Sequence, residues 1–128
     1  MKIHISLSAI ARKYEERCTF VVANAILEHF GLPELTLEEC PTDGLALVQT
    51  LRQKGLNYSP IKEPGQDWPM QPRTLRWCLS NLDRTKVYYL FVVGHAMALI
   101  KGQLIDTSER PGQRKVMGFE IYRQREVQ

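Results

Sequence analysis

The sequence predicts an α+β domain, and three observations carry that prediction. An almost unbroken apolar run, CTFVVANAILEHFG, occupies positions 18–31 at helical length. From residue 86 onward the apolar residues instead come in short β-rich runs separated by turn residues. Helices first and an antiparallel sheet afterwards is the α+β order. The 128 residues suit a single domain, 1–128, with one buried core.

Taken in order, residues 2–7 alternate polar and apolar and predict a short strand. Ser8 is placed to cap a brief helix running through Tyr14-Glu15-Glu16. From Cys18 to Phe30 few positions are polar, so this helix is expected to be buried on nearly every side. Gly31 supplies its C-terminal stop. Thr36-Leu37-Glu38-Glu39 has the capping-box pattern and predicts one helical turn. Pro41-Thr42-Asp43 opens a second amphipathic helix, with Leu45, Val48 and Leu51 on one face and Gly55 ending it.

Residues 59–72 (SPIKEPGQDWPMQP) hold four prolines and one glycine, which excludes a regular helix or central strand. This stretch is read as one ordered loop anchored by Trp68 and Met70. Pro72–Asn81 predicts a short helix with Leu75, Trp77, Cys78 and Leu82 inward. Strands are expected at 86–93, 96–100, 103–107 and 116–122. Trp68 and Trp77 are assigned to the core, with Trp68 the better candidate for a groove wall.

Composition narrows the function classes. Hydrophobic residues make up 44% and charged residues 24%, ordinary values for a globular chain. A net charge of +3, from 17 basic and 14 acidic residues, is too mild to imply a nucleic-acid partner. Arg110, Arg114, Lys115, Arg123 and Arg125 are the main basic concentration, and Gly, Pro and Glu interrupt it; a solvated surface is expected. The N-terminus lacks a continuous apolar segment, and no run nears the ~18 residues of a membrane span, so neither export nor membrane insertion is expected. Three widely spaced cysteines with no CxxC pair argue against a disulfide framework or zinc site. The expectation is therefore a cytoplasmic chain with free thiols, no metal and no cofactor.

Chemistry concentrates in three residues. Cys18 stands where a helix begins, and a helix N-terminus lowers a thiol pKa. His95 and Asp106 flank the Lys101-Gly102 turn in GHAMALIKGQLID. A two-residue hairpin there sets Ile100 opposite Gln103, Met97 opposite Asp106 and His95 opposite Ser108. His95 and Asp106 are then diagonal neighbours on one face, ~7–8 Å apart at Cα and within reach of each other. The order is nucleophile, base, orienter.

The segments CTFVVANAILEHFG and GHAMALIKGQLID resemble papain-like cysteine peptidases, especially the compact bacterial and phage-type branch. They are most similar to the leader-processing peptidases of bacteriocin exporters, over roughly residues ~12–31 and ~86–107. The resemblance implies a papain-like fold, with a buried N-terminal helix carrying the Cys on an antiparallel sheet. It implies a thiol peptidase with Cys18 as nucleophile, His95 as base and Asp106 as orienter, acting on a protein or peptide substrate. One departure concerns the oxyanion hole. These enzymes carry a Gln about six residues before the Cys, where this chain has Arg12, and no Gln or Asn precedes Cys18. Arg12, Lys13, Ser8 or the Cys18 backbone N–H are the available donors. Thr19 also replaces the Gly or Ser that often follows the Cys.

Each residue alone has a plainer reading: a core thiol, a structural His, a turn Asp. Two function classes follow. One is a thiol hydrolase that cleaves a peptide or isopeptide bond through an acyl-enzyme. The other is a phage- or mobile-element-encoded papain-like scaffold of weak or no activity that binds a partner protein. Cys40 and Cys78, with no nearby His, are assigned to the core. His29 is read as a favourable C-terminal charge or a surface residue, and His4 as exposed.

Overall fold

Two helices form where the apolar spacing is helical and cover one side of a mixed sheet. The computed structural model describes residues 3–6, 18–41, 43–92, 95–106 and 115–124, with 3–6, 18 and 106 described by backbone alone. Helix α1, Cys18–His29, buries Val22, Ala23, Ile26 and Leu27. It ends at Gly31, whose φ of +71° lets the Leu32 N–H return to the Leu27 carbonyl at 2.9 Å. The capping-box pattern forms as a turn: the Glu39 N–H donates to Thr36 Oγ1 at 3.2 Å, and the Thr36 N–H donates to Glu39 Oε1 at 2.9 Å.

Helix α2, Gly44–Gln53, starts at Asp43, whose carboxylate accepts from the Leu45 and Ala46 N–H groups. Its buried face is Leu47, Val48 and Leu51, and Leu45 is 55% exposed. At roughly 100° per residue, positions 47, 51 and 48 span about 100°, and position 45 falls some 60° beyond that stripe. The expected Leu45 face is corrected accordingly.

Asn24 is the one strongly polar side chain that α1 takes inside, and sequence periodicity offers no reason for it. Its Nδ2 donates to the Leu35 carbonyl at 3.2 Å, and the Leu35 N–H donates to its Oδ1 at 2.8 Å. The amide thereby straps the segment after α1 onto the helix. Asn24→Leu strands both Leu35 backbone groups, and urea unfolding should show a loss of about 2–3 kcal/mol. An unchanged midpoint would mean that water reaches those groups.

The described strands are β1 (Ile3–Ser6), β2 (Leu56–Pro60), β3 (Arg73–Thr74), β4 (Val87–Val92), β5 (His95–Ile100), β6 (Gln103–Asp106) and β7 (Lys115–Arg123). They pair in the order β1-β6-β5-β4-β7-β2, with β3 joined to β7. All pairs are antiparallel except β1 with β6. The Lys101-Gly102 turn closes β5 onto β6 with φ of +48° and +84°, the two positive values a tight two-residue hairpin needs.

Two expectations change here. The Pro-rich stretch is not loop throughout, because Ser59 and Pro60 end β2, which pairs with β7. Pro60 is tolerated because β2 is an edge strand among the described residues, with no outer neighbour there to miss its N–H. The rest of the stretch folds back on itself: the Met70 N–H donates to the Ile61 carbonyl at 2.7 Å, and the Glu63 N–H to the Trp68 carbonyl at 3.0 Å. Trp68, expected in the core, is 57% exposed.

Strand alternation divides the core into two layers. Val87, Tyr89, Ala96, Ala98, Ile100, Ile105 and Ile121 face α1 and α2. Tyr88, Leu90, Met97, Leu99, Leu104 and Val116 face the other way, under helix α3, Leu75–Asn81, which contributes Leu75 and Cys78. Thr74 caps α3 by accepting from the Trp77 N–H at 3.2 Å. Among the described residues no helix is long and apolar enough to cross a membrane.

Candidate active site

The position of Cys18 follows from how α1 lies on the sheet. The helix packs chiefly along β5. Its C-terminal end lies beside Lys101 and Arg123: both cations act on His29, and the Arg123 guanidinium donates to the Phe30 carbonyl. Lys101 directly follows the end of β5, so α1 and β5 run in the same direction. Twelve helical residues cover roughly 17 Å, and the span of β5 is similar. Cys18 therefore stands at the end of the sheet where His95 begins β5.

Asp106 belongs to the same end. The β5–β6 register pairs Ile100 with Gln103, Leu99 with Leu104 and Ala98 with Ile105. Carried one pair further, it sets residue 106 opposite Met97, so positions 95, 97 and 106 share a sheet face as the two-residue turn requires. Ser108 lies outside the described residues. Ser6 comes level with Asp106 through the parallel pairing of β1 with β6. No local sequence signal marks Ser6, because its neighbour is 100 positions away in the chain.

The faces are not all alike. His95 pairs with Val92, and Val92 packs in the layer beneath α3. Alternation thus puts position 95 on the α3 side, whereas Cys18 heads the helix on the opposite side. His95 is half-buried and opens its strand, so the path from position 95 to the start of α1 leads around the strand's end. Arg12, Lys13 and Ser8 lie outside the described residues, as does the helix expected after Ser8. The side chain of His4 is likewise outside them.

The start of α1 is held from a neighbouring loop. Thr19 is buried, and its hydroxyl donates to the Pro41 carbonyl at 2.8 Å. That contact gives Thr19 a structural job at the position next to Cys18. Cys40 is buried against the same place, with its sulfur 3.5 Å from the Pro41 carbonyl and 4.0 Å from Thr19 Oγ1. Cys78 is fully buried, and burial pushes its thiol up to about 11, against the opposing pull of Arg73. A thiol so raised is almost wholly protonated at neutral pH and inert.

His29 is exposed, and its imidazole is held below the ordinary value, first by desolvation and then by Lys101 and Arg123. Its charge is therefore disfavoured, and of the two readings, a favourable C-terminal charge or a surface residue, its exposure fits the second. Trp77 is half-buried and stacks under the Arg73 guanidinium, 4.5 Å from ring centroid to carbon. Among the described residues no group of three or more His, Cys, Asp or Glu is placed to hold a metal ion. No protein-family model, curated protein or solved structure matches this chain.

Proposed function

We propose that this chain is a papain-like thiol hydrolase that cleaves a peptide or isopeptide bond in a protein or peptide substrate. The observation that carries the reading is the shared direction of α1 and β5, which puts Cys18, His95 and Asp106 at one end of the sheet. The helix dipole favours the Cys18 thiolate, which attacks the scissile carbonyl carbon. His95 takes the thiol proton and passes it to the departing amine, leaving a thioester on Cys18. His95 then draws a proton from water, which attacks the thioester and frees the thiol. Asp106 orients the imidazole and supports its charged form. The developing oxyanion takes the Cys18 backbone N–H and one of Arg12, Lys13 or Ser8.

A second reading, a papain-like scaffold of weak or no activity that binds a partner protein, is favoured by the alternation that turns position 95 away from α1. Alkylation separates the two. With iodoacetamide at pH 7, followed by mass spectrometry at each thiol, Cys18 is expected to label ~10-fold or more faster than Cys40 or Cys78. His95→Ala should remove most of that advantage. Equal, slow labelling of all three thiols, indifferent to His95→Ala, selects the scaffold.

A further inference from the structure

A second site lies away from the thiol, on the face of the sheet opposite α1. The hairpin that follows β2 stands beside a half-buried strip of β2, β7 and β4 and borders a groove of about 1460 Å³. Asn57 and Ser59 of β2, Glu120 and Tyr122 of β7, and Lys86 just before β4 line it. A volume above the ~300–1,000 Å³ of common small-molecule sites suits an extended ligand of several units.

Three observations define that ligand. First, the charges of the lining cancel, with four Lys or Arg against four Asp or Glu. Two of the cations and three of the anions are already engaged: Lys86 pairs with Glu120 at 3.3 Å, Arg123 donates to Phe30, Glu63 pairs with Arg73 at 2.7 Å, and Asp83 accepts from Thr85. A balanced lining gives no preference for an ionic ligand. Second, Trp68 presents an indole that is 57% exposed from a fixed mount. Buried Ile61 and the Glu63–Arg73 pair hold the hairpin, so the ring is displayed by a rigid element. Third, an added peptide strand is disfavoured at β2. The Tyr58 N–H already donates to Asn57 Oδ1 at 3.0 Å, and Pro60 has no N–H, which blunts the edge.

Amides and hydroxyls remain available on the groove floor. Asn57 keeps its NH₂ donors, and Gln124 keeps its Oε1, since its Nε2 donates to Arg52 and Leu56 carbonyls. A flat indole beside neutral donors and acceptors complements a ligand with apolar C–H faces and hydroxyl edges. We propose that this groove binds an uncharged oligosaccharide, with a sugar ring on Trp68 and hydroxyls on Asn57, Ser59 and Tyr122.

The test is an amide NMR titration of the full chain with cellohexaose, maltohexaose and chitohexaose. A heparin hexasaccharide and hexaalanine serve as charged and peptide comparators. At least one neutral hexaose should shift the amides of Asn57, Ser59 and Tyr122. Trp68→Ala should weaken that binding by about tenfold or more, and Trp68→Phe should keep most of it. The mapped shifts on the unaltered chain test the site even without the variants. No response to any neutral hexaose at millimolar concentration overturns the proposal. So does binding indifferent to Trp68→Ala, or binding of only the charged or peptide comparator. None of these readings uses the thiol, so they stand or fall apart from hydrolase activity.

Discussion

Gly118→Ala is expected to destroy the native fold or to cost more than about 4 kcal/mol, the largest effect of a methyl group added at any of the described glycines. Gly118 lies in the middle of β7, opposite Leu90 of β4. A Cβ built there meets the Tyr89 backbone carbonyl head-on, with Leu90 Cδ2 at 3.0 Å and Leu90 Cα at 3.1 Å. A flexible side chain can swing aside, but the carbonyl and Cα belong to the ladder itself. Relief therefore requires β4 and β7 to separate where β7 joins β2 and β3 to the rest of the sheet. Circular dichroism and urea unfolding check this, with Gly65→Ala as the contrast. Gly65 has a φ of +75° but nothing within 4 Å of a new Cβ, so its cost should stay near 1 kcal/mol. Equal melting of Gly118→Ala and the parent chain would refute the close approach.

His95→Ala is expected to lower peptide or isopeptide turnover by ~10³-fold or more, and Cys18→Ala to abolish it. In the proposed mechanism the two residues act as one unit: the imidazole takes the thiol proton and passes it to the leaving amine. Asp106→Asn should also cut turnover strongly, since it removes the charge that orients and supports the ring. The oxyanion donor is a separate contribution: Arg12→Ala should lower kcat by ~10-fold or more with little change in Tm if the guanidinium holds the developing charge. Cys18→Ala exchanges one small side chain for another at the head of α1, so it should leave the melting temperature close to that of the parent. Steady-state kinetics on a peptide substrate, beside a melting curve for each variant, make the comparison. Turnover that survives Cys18→Ala would exclude the thiol mechanism. Partner binding retained in a parent chain without turnover would select the scaffold.

Local chemistry made much of this structure legible in the sequence. The unbroken apolar run from Cys18 could only be a buried helix ended by Gly31. Thr36 and Glu39 could satisfy each other's backbone N–H groups without help from the rest of the chain. Lys101-Gly102 imposed a two-residue turn, and that turn alone fixed which residues of β5 and β6 face each other. The shared face of positions 95, 97 and 106 was settled by the same local rule. Each of these depends on residues within a few positions of one another.

Pairings between distant segments were not legible, because a strand's own residues do not name its neighbour. The parallel alignment of β1 with β6, which brings Ser6 to Asp106, joins residues a hundred positions apart. The addition of β2 to β7 drew Ser59 and Pro60, read from the sequence as loop, into an edge strand. It also built the groove on which Trp68 stands. Sheet alternation, not spacing, sent Val92 and position 95 to the α3 layer while α1 settled on the other. The sequence by itself determined a helix that begins at Cys18 and a hairpin that puts His95 and Asp106 on one sheet face. Only the tertiary structure decided on which face of the sheet that helix lies, because burying α1 against β5 depends on the apolar layer of Ala96, Ala98 and Ile100 opposite it.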